Sequence, residues 1–155
     1  MKDKQRKKRI SEVKTFPVPF ALEKIKANIA ATSNSPSKPS EEQVLNQAFI
    51  FHSEGNISEA AKYYQYFISQ GFKDHRVFSN FGVVLSDLGN LREAELSFRK
   101  AINIKPDYAE AYFNLGNVLS DLRKSKEAEN SYRKAIEFKP SYADAHYNLG
   151  TILRD

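Results

Sequence analysis

The stretch NFGVVLSDL, from Asn80 to Leu88, recurs further along the chain as NLGNVLSDL, from Asn114 to Leu122. Aligning residues 75–108 with residues 109–142 gives 18 identities in 34 positions. Residues 41–74 match less closely, and residues 143–155 correspond to the first third of a further copy. A fixed period of this size predicts stacked supersecondary units, so we expect about 3.5 repeats between residues 41 and 155.

Each repeat is predicted to form two helices, because apolar residues recur at helical spacing in both of its halves. Pro106 and Pro140 should end the second helices, since proline lacks the backbone N–H and clashes inside a helix. Capping signatures are expected to start the first helices; they begin at Ser40, Asp107 and Ser141.

The turns inside the repeats also carry a pattern. Asn56 and Asn90 are predicted to cap the second helices, and each follows a glycine suited to a left-handed helix end. The repeat 109–142 has Arg123 and Lys124 at these two places. We therefore expect positive φ at Arg123 and a weaker turn, which changing the pair to Gly and Asn should stabilise.

Glycine stands in the middle of each predicted first helix, at positions 82, 116 and 150, where it costs about 1 kcal/mol against alanine. That cost is explained if a neighbouring helix approaches closely. We expect small residues of the second helices to meet these glycines and aromatic residues to fill the remaining space; the small residues are Ala60, Ala94 and Ala128.

These residues resemble the tetratricopeptide repeat, whose pattern combines aromatic residues, Leu-Gly, spaced alanines and a final proline. One copy contains Tyr112, Leu115, Gly116, Leu119, Ala128, Tyr132, Ala135 and Pro140, and the preceding copy contains Phe78, Phe81, Gly82, Leu85, Ala94, Phe98, Ala101 and Pro106. The resemblance implies an all-α solenoid of stacked antiparallel helix pairs, with repeats 41–74, 75–108 and 109–142 and a half repeat 143–155. It also implies that the first helices line a concave groove.

Three segments precede the repeats. Residues 1–14 contain seven Lys or Arg and two acidic residues, which predicts a basic disordered tail, whereas residues 15–155 carry no net charge. Residues 15–31 are predicted to form a short extended segment and a helix, and residues 32–40 a linker. The N-terminal region is thus expected to be basic and largely irregular, and residues 16–31 are a candidate to dock on the first repeat.

The sequence holds no constellation typical of an enzyme. Cysteine is absent, and the three histidines lack metal-ligand spacing, so we expect no catalytic residue, no metal and no cofactor. Tyr63 and Tyr66 are predicted to point away from the core, where they would offer a docking surface. There is no apolar run of about 18 residues and no secretory signal, so a cytoplasmic location is expected.

The implied groove is the candidate functional site, and we predict that it binds an extended peptide or a partner protein without catalysis. Its expected residues are Asn46, Phe49, Ser79, Asn80, Val83, Asp87, Phe113, Asn114, Asn117, Asp121, Tyr147 and Asn148. Asparagine recurs in it once in every repeat, which predicts a ladder of amides that can pair with a peptide backbone. The alternative for these asparagines is a hydrogen bond to the backbone of the neighbouring repeat. Lys and Arg, which hold a peptide carboxylate in some relatives, are limited here to Arg76 and Arg154.

Other functions stay open at this point. The array can be the targeting or substrate-binding module of a larger bacterial enzyme, a transferase, whose C-terminal domain is absent from this chain. Nucleic acid is expected to bind, if at all, only through the basic tail. The half repeat has no second helix, so self-association through this open end is also predicted.

Overall fold

The computed structural model describes residues 39–154. The predicted segments 1–14 and 15–31, nearly all of the linker 32–40 and the proposed docking of residues 16–31 lie outside these residues. The described chain contains α-helices and no strand, so the predicted all-α fold is confirmed. It divides into two compact units, the first ending at Phe72 and the second beginning at Lys73.

The first unit contains α1 (Glu41–Ser53) and α2 (Ile57–Ser69), which pack against each other. As predicted, Ser40 caps α1: its hydroxyl accepts from the Gln43 backbone N–H, and the Gln43 side chain accepts from the Ser40 N–H. Tyr63 and Tyr66 are 1% and 2% exposed. The prediction that these two side chains form an accessible docking surface is therefore wrong.

The second unit contains five helices in three successive layers. They are α3 (His75–Asp87), α4 (Leu91–Ile104), α5 (Ala109–Asp121), α6 (Ser125–Phe138) and α7 (Ala143–Arg154). The pairs α3 and α4, and α5 and α6, form helical hairpins, and α4 packs on α5 as α6 packs on α7. Their shared core contains Leu85, Phe98, Leu119 and Tyr132, all buried.

Two of the three mid-helix glycines, Gly82 and Gly116, closely contact a neighbouring helix as predicted. A Cβ built on Gly82 would lie 2.7 Å from the Phe98 ring, and one built on Gly116 would lie 2.6 Å from the Tyr132 ring. The close neighbour is thus an aromatic ring rather than the expected alanine. At Gly150, by contrast, a Cβ would meet no described atom within 4 Å.

Three inter-helix turns share one geometry, including the one that lacks glycine. Arg123 has φ 63°, close to the 72° of Gly55 and the 80° of Gly89. Its N–H donates to Ser120 and the following N–H donates to Leu119, the paired bonds that close a helix in the Schellman motif. The predicted positive φ at Arg123 is confirmed.

The predicted side-chain caps at Asn56, Asn90 and Asp107 are wrong. Asn56 and Asn90 make no side-chain bond to the helix that follows them. The N-cap of α5 is Tyr108 rather than Asp107, and it too lacks a side-chain bond. The Schellman bonds already join the asparagine N–H groups to the preceding helix, which fixes the turn without a side-chain cap. Asp74, which the sequence patterns missed, caps α3 through the Arg76 N–H.

The last helix has an open face. Leu153 on α7 is 57% exposed, and no described helix packs on Gly150. Self-association through this face stays a prediction.

We predict that Gly116→Ala destabilises the protein by about 1–3 kcal/mol, because the new methyl group must displace the Tyr132 ring. Gly150→Ala is the matched control and should stabilise α7 by up to about 1 kcal/mol, since only helix propensity changes there. Urea denaturation measures both changes. Equal effects of the two substitutions would contradict the close contact.

We predict that Arg123→Gly raises the free energy of unfolding by about 0.5–1 kcal/mol, because relief of the left-handed strain exceeds the entropy cost of glycine. Adding Lys124→Asn should give no further gain, since the turn uses no side-chain cap and the Lys124–Glu95 ion pair at 2.8 Å would be lost. The control is Gly89→Ala, whose Cβ would meet nothing but whose φ is 80°. Thermal denaturation should give a higher midpoint for Arg123→Gly and a lower midpoint for Gly89→Ala. A lower midpoint for Arg123→Gly would contradict backbone strain at Arg123.

Candidate functional site

A polar cluster joins three helices of the second unit. The Tyr132 hydroxyl on α6 donates to Asn117 Oδ1 on α5 at 2.9 Å. Asn148 Nδ2 on α7 donates to the same oxygen at 2.9 Å. Asn117 therefore links the aromatic ring that contacts Gly116 to the next helix of the array.

The cluster forms one wall of a cleft of about 270 Å³. Its lining residues have polar side chains, apart from one isoleucine. They are Asn117, Ser120, Asp121, Tyr132, Asn148, Thr151 and Ile152. Asp121 is the single charged residue in this lining. The cleft is thus hydrogen-bonding and weakly acidic.

The hydrogen bonds within the cluster leave specific atoms available. Asn117 Nδ2 and Asn148 Oδ1 have no partner among the described residues. A primary amide offers two donors and an acceptor with two lone pairs, so this pair still has donors and an acceptor that no described residue uses. Together they match the C=O and N–H of an extended peptide.

The protonation of Tyr132 supports this arrangement. Burial raises the pKa of Tyr132, the neighbouring Asn148 amide lowers it in part, and the carboxylate of Asp121 raises it. A tyrosine hydroxyl is already protonated at neutral pH, and the raised pKa moves its ionisation to still higher pH, so it can donate to Asn117.

The predicted ladder is only partly regular. Asn80 on α3 and Asn114 on α5 are half-buried, and their side-chain amides have no hydrogen-bond partner among residues 39–154. Asn148 donates to the side chain of Asn117 in the neighbouring repeat. It therefore matches neither a ladder of amides that bind only peptide nor a hydrogen bond to the neighbouring backbone. Asn46 is exposed on α1, in the first unit.

The other predicted groove residues differ in accessibility. Ser79 is 2% exposed, so its prediction as a peptide contact is wrong. Val83 is partly buried against the core of the second unit, whereas Asp87 is exposed. Phe49 lies on α1 and packs edge-on against Tyr64, with ring centroids 6.2 Å apart.

Two aromatic residues flank the cluster. The Phe113 ring lies 4.8 Å from the Tyr142 ring and is half-buried. Tyr147 is 77% exposed on α7, so it is the most accessible aromatic among the predicted groove residues. It can contact a ligand without any rearrangement of the core.

Arg76, one of the two arginines of the predicted groove, has a structural partner. Asp74 accepts three side-chain bonds from Arg76, two from Nε at 3.1 and 3.2 Å and one from Nη2 at 2.6 Å. Burial raises the pKa of Asp74, but its hydrogen bonds to Arg76 outweigh this and lower the pKa overall. Arg76 is thus held in an ion pair at the start of α3.

The histidines occupy structural positions. His52 Nδ1 lies 3.0 Å from the Tyr64 hydroxyl, and His146 Nε2 lies 2.9 Å from the Pro140 carbonyl oxygen. The His75 ring contacts the Tyr108 ring edge-on. Within residues 39–154, no group of three His, Asp or Glu side chains is placed to hold a metal ion. No helix in this range is long and apolar enough to cross a membrane.

Sequence reasoning treated Tyr132 as a packing residue and missed its hydrogen bond. A signal was present in the repeat register, because Phe98 and Val83 become Tyr132 and Asn117 in the next repeat. A hydroxyl and an amide thus enter the same repeat together. The repeat pattern gave no such signal for Ser120 and Ile152, which also line the cleft.

Two sequence profiles match the second unit. One, described as TPR repeat, matches residues 82–122, and the other, described as Tetratricopeptide repeat, matches residues 109–142. The chain carries repeats of the tetratricopeptide repeat (TPR) family. No curated protein is significantly similar to the sequence.

Solved TPR structures share this fold. The first TPR of Spaghetti (RPAP3), bound to the HSP90 peptide SRMEEVD, is 20% identical with a TM-score of 0.70, covering 74% of this chain and 90% of that chain. The second TPR domain of human RPAP3, in complex with the HSP70 peptide SGPTIEEVD, is 21% identical with a TM-score of 0.67, covering 72% and 93%. YrrB, described as a TPR protein with an unusual peptide-binding site, is 21% identical with a TM-score of 0.71, covering 86% and 68%. At these identities the likeness establishes the fold alone.

We predict that Tyr132→Phe lowers stability by about 0.5–1.5 kcal/mol through loss of the bond to Asn117. Phe98→Tyr places a hydroxyl beside Val83 and should cost about 1–3 kcal/mol, since its buried group lacks a partner. The double variant Phe98→Tyr with Val83→Asn should rebuild the hydroxyl–amide pair in the repeat 75–108. Chemical denaturation should show recovery in this double variant, and additive losses would contradict the proposed pairing.

Proposed function

We propose that the second unit binds an extended segment of a partner protein along α3, α5 and α7, without catalysis. The observation that carries this proposal is the Asn117–Asn148 pair, which leaves amide donors and an acceptor available at a polar cleft. Asn80 and Asn114, which lack partners among the described residues, extend the row of available amides on α3 and α5.

Amides can hold a peptide backbone without reading its side chains. Each amide pairs with one N–H and one C=O, the two groups that every residue except proline presents. Tyr147, at the side of the row, adds an exposed aromatic surface that can cover an apolar side chain of the ligand. The result is a site selective for extended conformation more than for sequence.

Charge selects the class of segment. Asp121 lines the cleft and Asp87 is exposed on α3, whereas neither Lys nor Arg lines the cleft. The RPAP3 structures hold the acidic peptides SRMEEVD and SGPTIEEVD. Because the cleft carries a carboxylate and no cation, we infer that this groove takes neutral or basic segments instead.

The cleft's chemistry supports binding rather than reaction. Its groups are amides, hydroxyls and a single carboxylate, and burial raises the pKa of the Tyr132 hydroxyl. The contribution of Asn46 and Phe49 in the first unit, the role of the chain as a module of a larger enzyme and a cytoplasmic location all stay predictions.

The test uses Asn80→Ala together with Asn114→Ala. Fluorescence polarisation follows labelled peptides of equal length, capped at both ends, with positive, zero and negative net charge. We expect neutral and basic peptides to bind, and the double variant to lose about 0.5–1.5 kcal/mol of affinity for each lost hydrogen bond. Stability should hardly change, because neither amide has a partner among residues 39–154.

Asn90→Ala is the matched control, since Asn90 lies in a turn and makes no side-chain cap bond. It should leave peptide affinity unchanged. If the double variant melts early and binds peptide normally once folded, these asparagines are structural and the proposed site is wrong. Preference for the acidic peptides would contradict the charge argument.

A further inference from the structure

A second cleft, of about 560 Å³, lies between α4 and α6 of the second unit. It shares no lining residue with the polar cleft on α5 and α7. On α5 it is lined by Tyr112 and Leu115, whereas the polar cleft uses Asn117 and Asp121 of that helix. Its volume is within the range of about 300–1,000 Å³ typical of ligand sites.

The floor of this cleft is apolar and partly accessible. Leu115 is buried, Ile102 and Tyr112 are half-buried, and Leu96 is 61% exposed. The residue equivalent to Leu96 in the next repeat is Asn130, on the opposite side of the cleft. An exposed leucine beside half-buried apolar side chains gives a ligand's apolar group a surface to cover.

The rim of the cleft is cationic. Arg99, Lys100 and Lys134 line it, and the lining contains no carboxylate. Arg99 pairs with Glu95 and Glu127, and Lys134 pairs with Glu137. Lys100 has no carboxylate partner among the described residues; its ammonium group lies 5.7 Å from the Phe78 ring centroid. One positive charge at the cleft is therefore not neutralised by an ion pair.

We propose that this cleft is a second docking site, which takes an acidic segment of a partner protein. An apolar side chain of that segment covers Leu96 and Tyr112, and its carboxylates face Lys100. Residues 1–14 of the chain carry a net charge of +5, so the charge of the rim repels this tail. Leu96, Ile102 and Leu115 are aliphatic and Tyr112 is the single aromatic ring in the lining, which favours a peptide over a nucleic acid, whose bases bind best on several stacked aromatic rings.

The test titrates the intact protein with fluorescein-labelled Glu-Glu-Leu-Phe-Glu-Glu and related acidic peptides that vary the central pair. Comparison peptides replace the pair by Ser-Ser or the glutamates by lysine, and a labelled oligothymidylate tests the nucleic acid. We expect an acidic peptide with an apolar centre to bind best, and its affinity to fall as salt rises.

The variants locate the site. Leu96→Ser should weaken binding about fivefold to tenfold, as expected for a partly buried leucine contact. Lys100→Gln should weaken it about twofold to fivefold, the range of an exposed ion pair. The matched controls are Leu153→Ser and Lys126→Gln, which are exposed in the same unit and do not line the cleft. They should bind as the parent does.

The proposal is overturned if no acidic peptide binds more tightly than its Ser-Ser counterpart, or if Leu96→Ser and Lys100→Gln bind as their controls do. The protein could instead bind oligothymidylate more tightly than any peptide, with both variants weakening that binding. This result would identify the ligand as nucleic acid and would also overturn the proposal. Asn80→Ala with Asn114→Ala should not affect this binding, so the outcome is separate from that for the groove.

Discussion

The contact between a mid-helix glycine and an aromatic ring determines how closely the helices of each pair in the second unit approach. Rings of Phe98 and Tyr132 occupy the space that a side chain at Gly82 or Gly116 would need. Because each ring lies directly against the partner helix, its position sets the distance between the two helices. The contact recurs in successive repeats, and equivalent side chains therefore take equivalent places in successive layers.

The same contact connects packing to the proposed function. Tyr132 packs on Gly116 with its ring and bonds Asn117 with its hydroxyl, and Asn117 in turn accepts from Asn148 on the next helix. Phe98 fills the equivalent place without a hydroxyl, so the preceding repeat lacks this connection. A hydroxyl on the ring and an amide in place of Val83 thus distinguish the repeat with this polar connection from the repeat that only packs.

The repeat register predicted helices, turns and the positive φ of Arg123, because these depend on local backbone preferences and on a pattern repeated in the chain. It failed where tertiary contacts decide. Ser79 is equivalent to Phe113, yet it is buried against Tyr108, and the exposure of Tyr63 was misjudged because burial depends on surroundings that no periodicity describes. The cleft at Leu96 also escaped sequence reasoning, since it is lined by residues from three helices.

The two clefts of the second unit differ in charge, one carrying Asp121 and the other Arg99, Lys100 and Lys134, so they suit segments of opposite sign. The central claim is that the amides of Asn117 and Asn148 bind peptide. NMR of the asparagine side-chain N–H groups during titration with a basic extended peptide tests it directly. The account predicts that the resonances of these two amides shift at the concentration where the peptide binds, while those of Asn130 do not. Saturable binding that leaves both amides unshifted would contradict it.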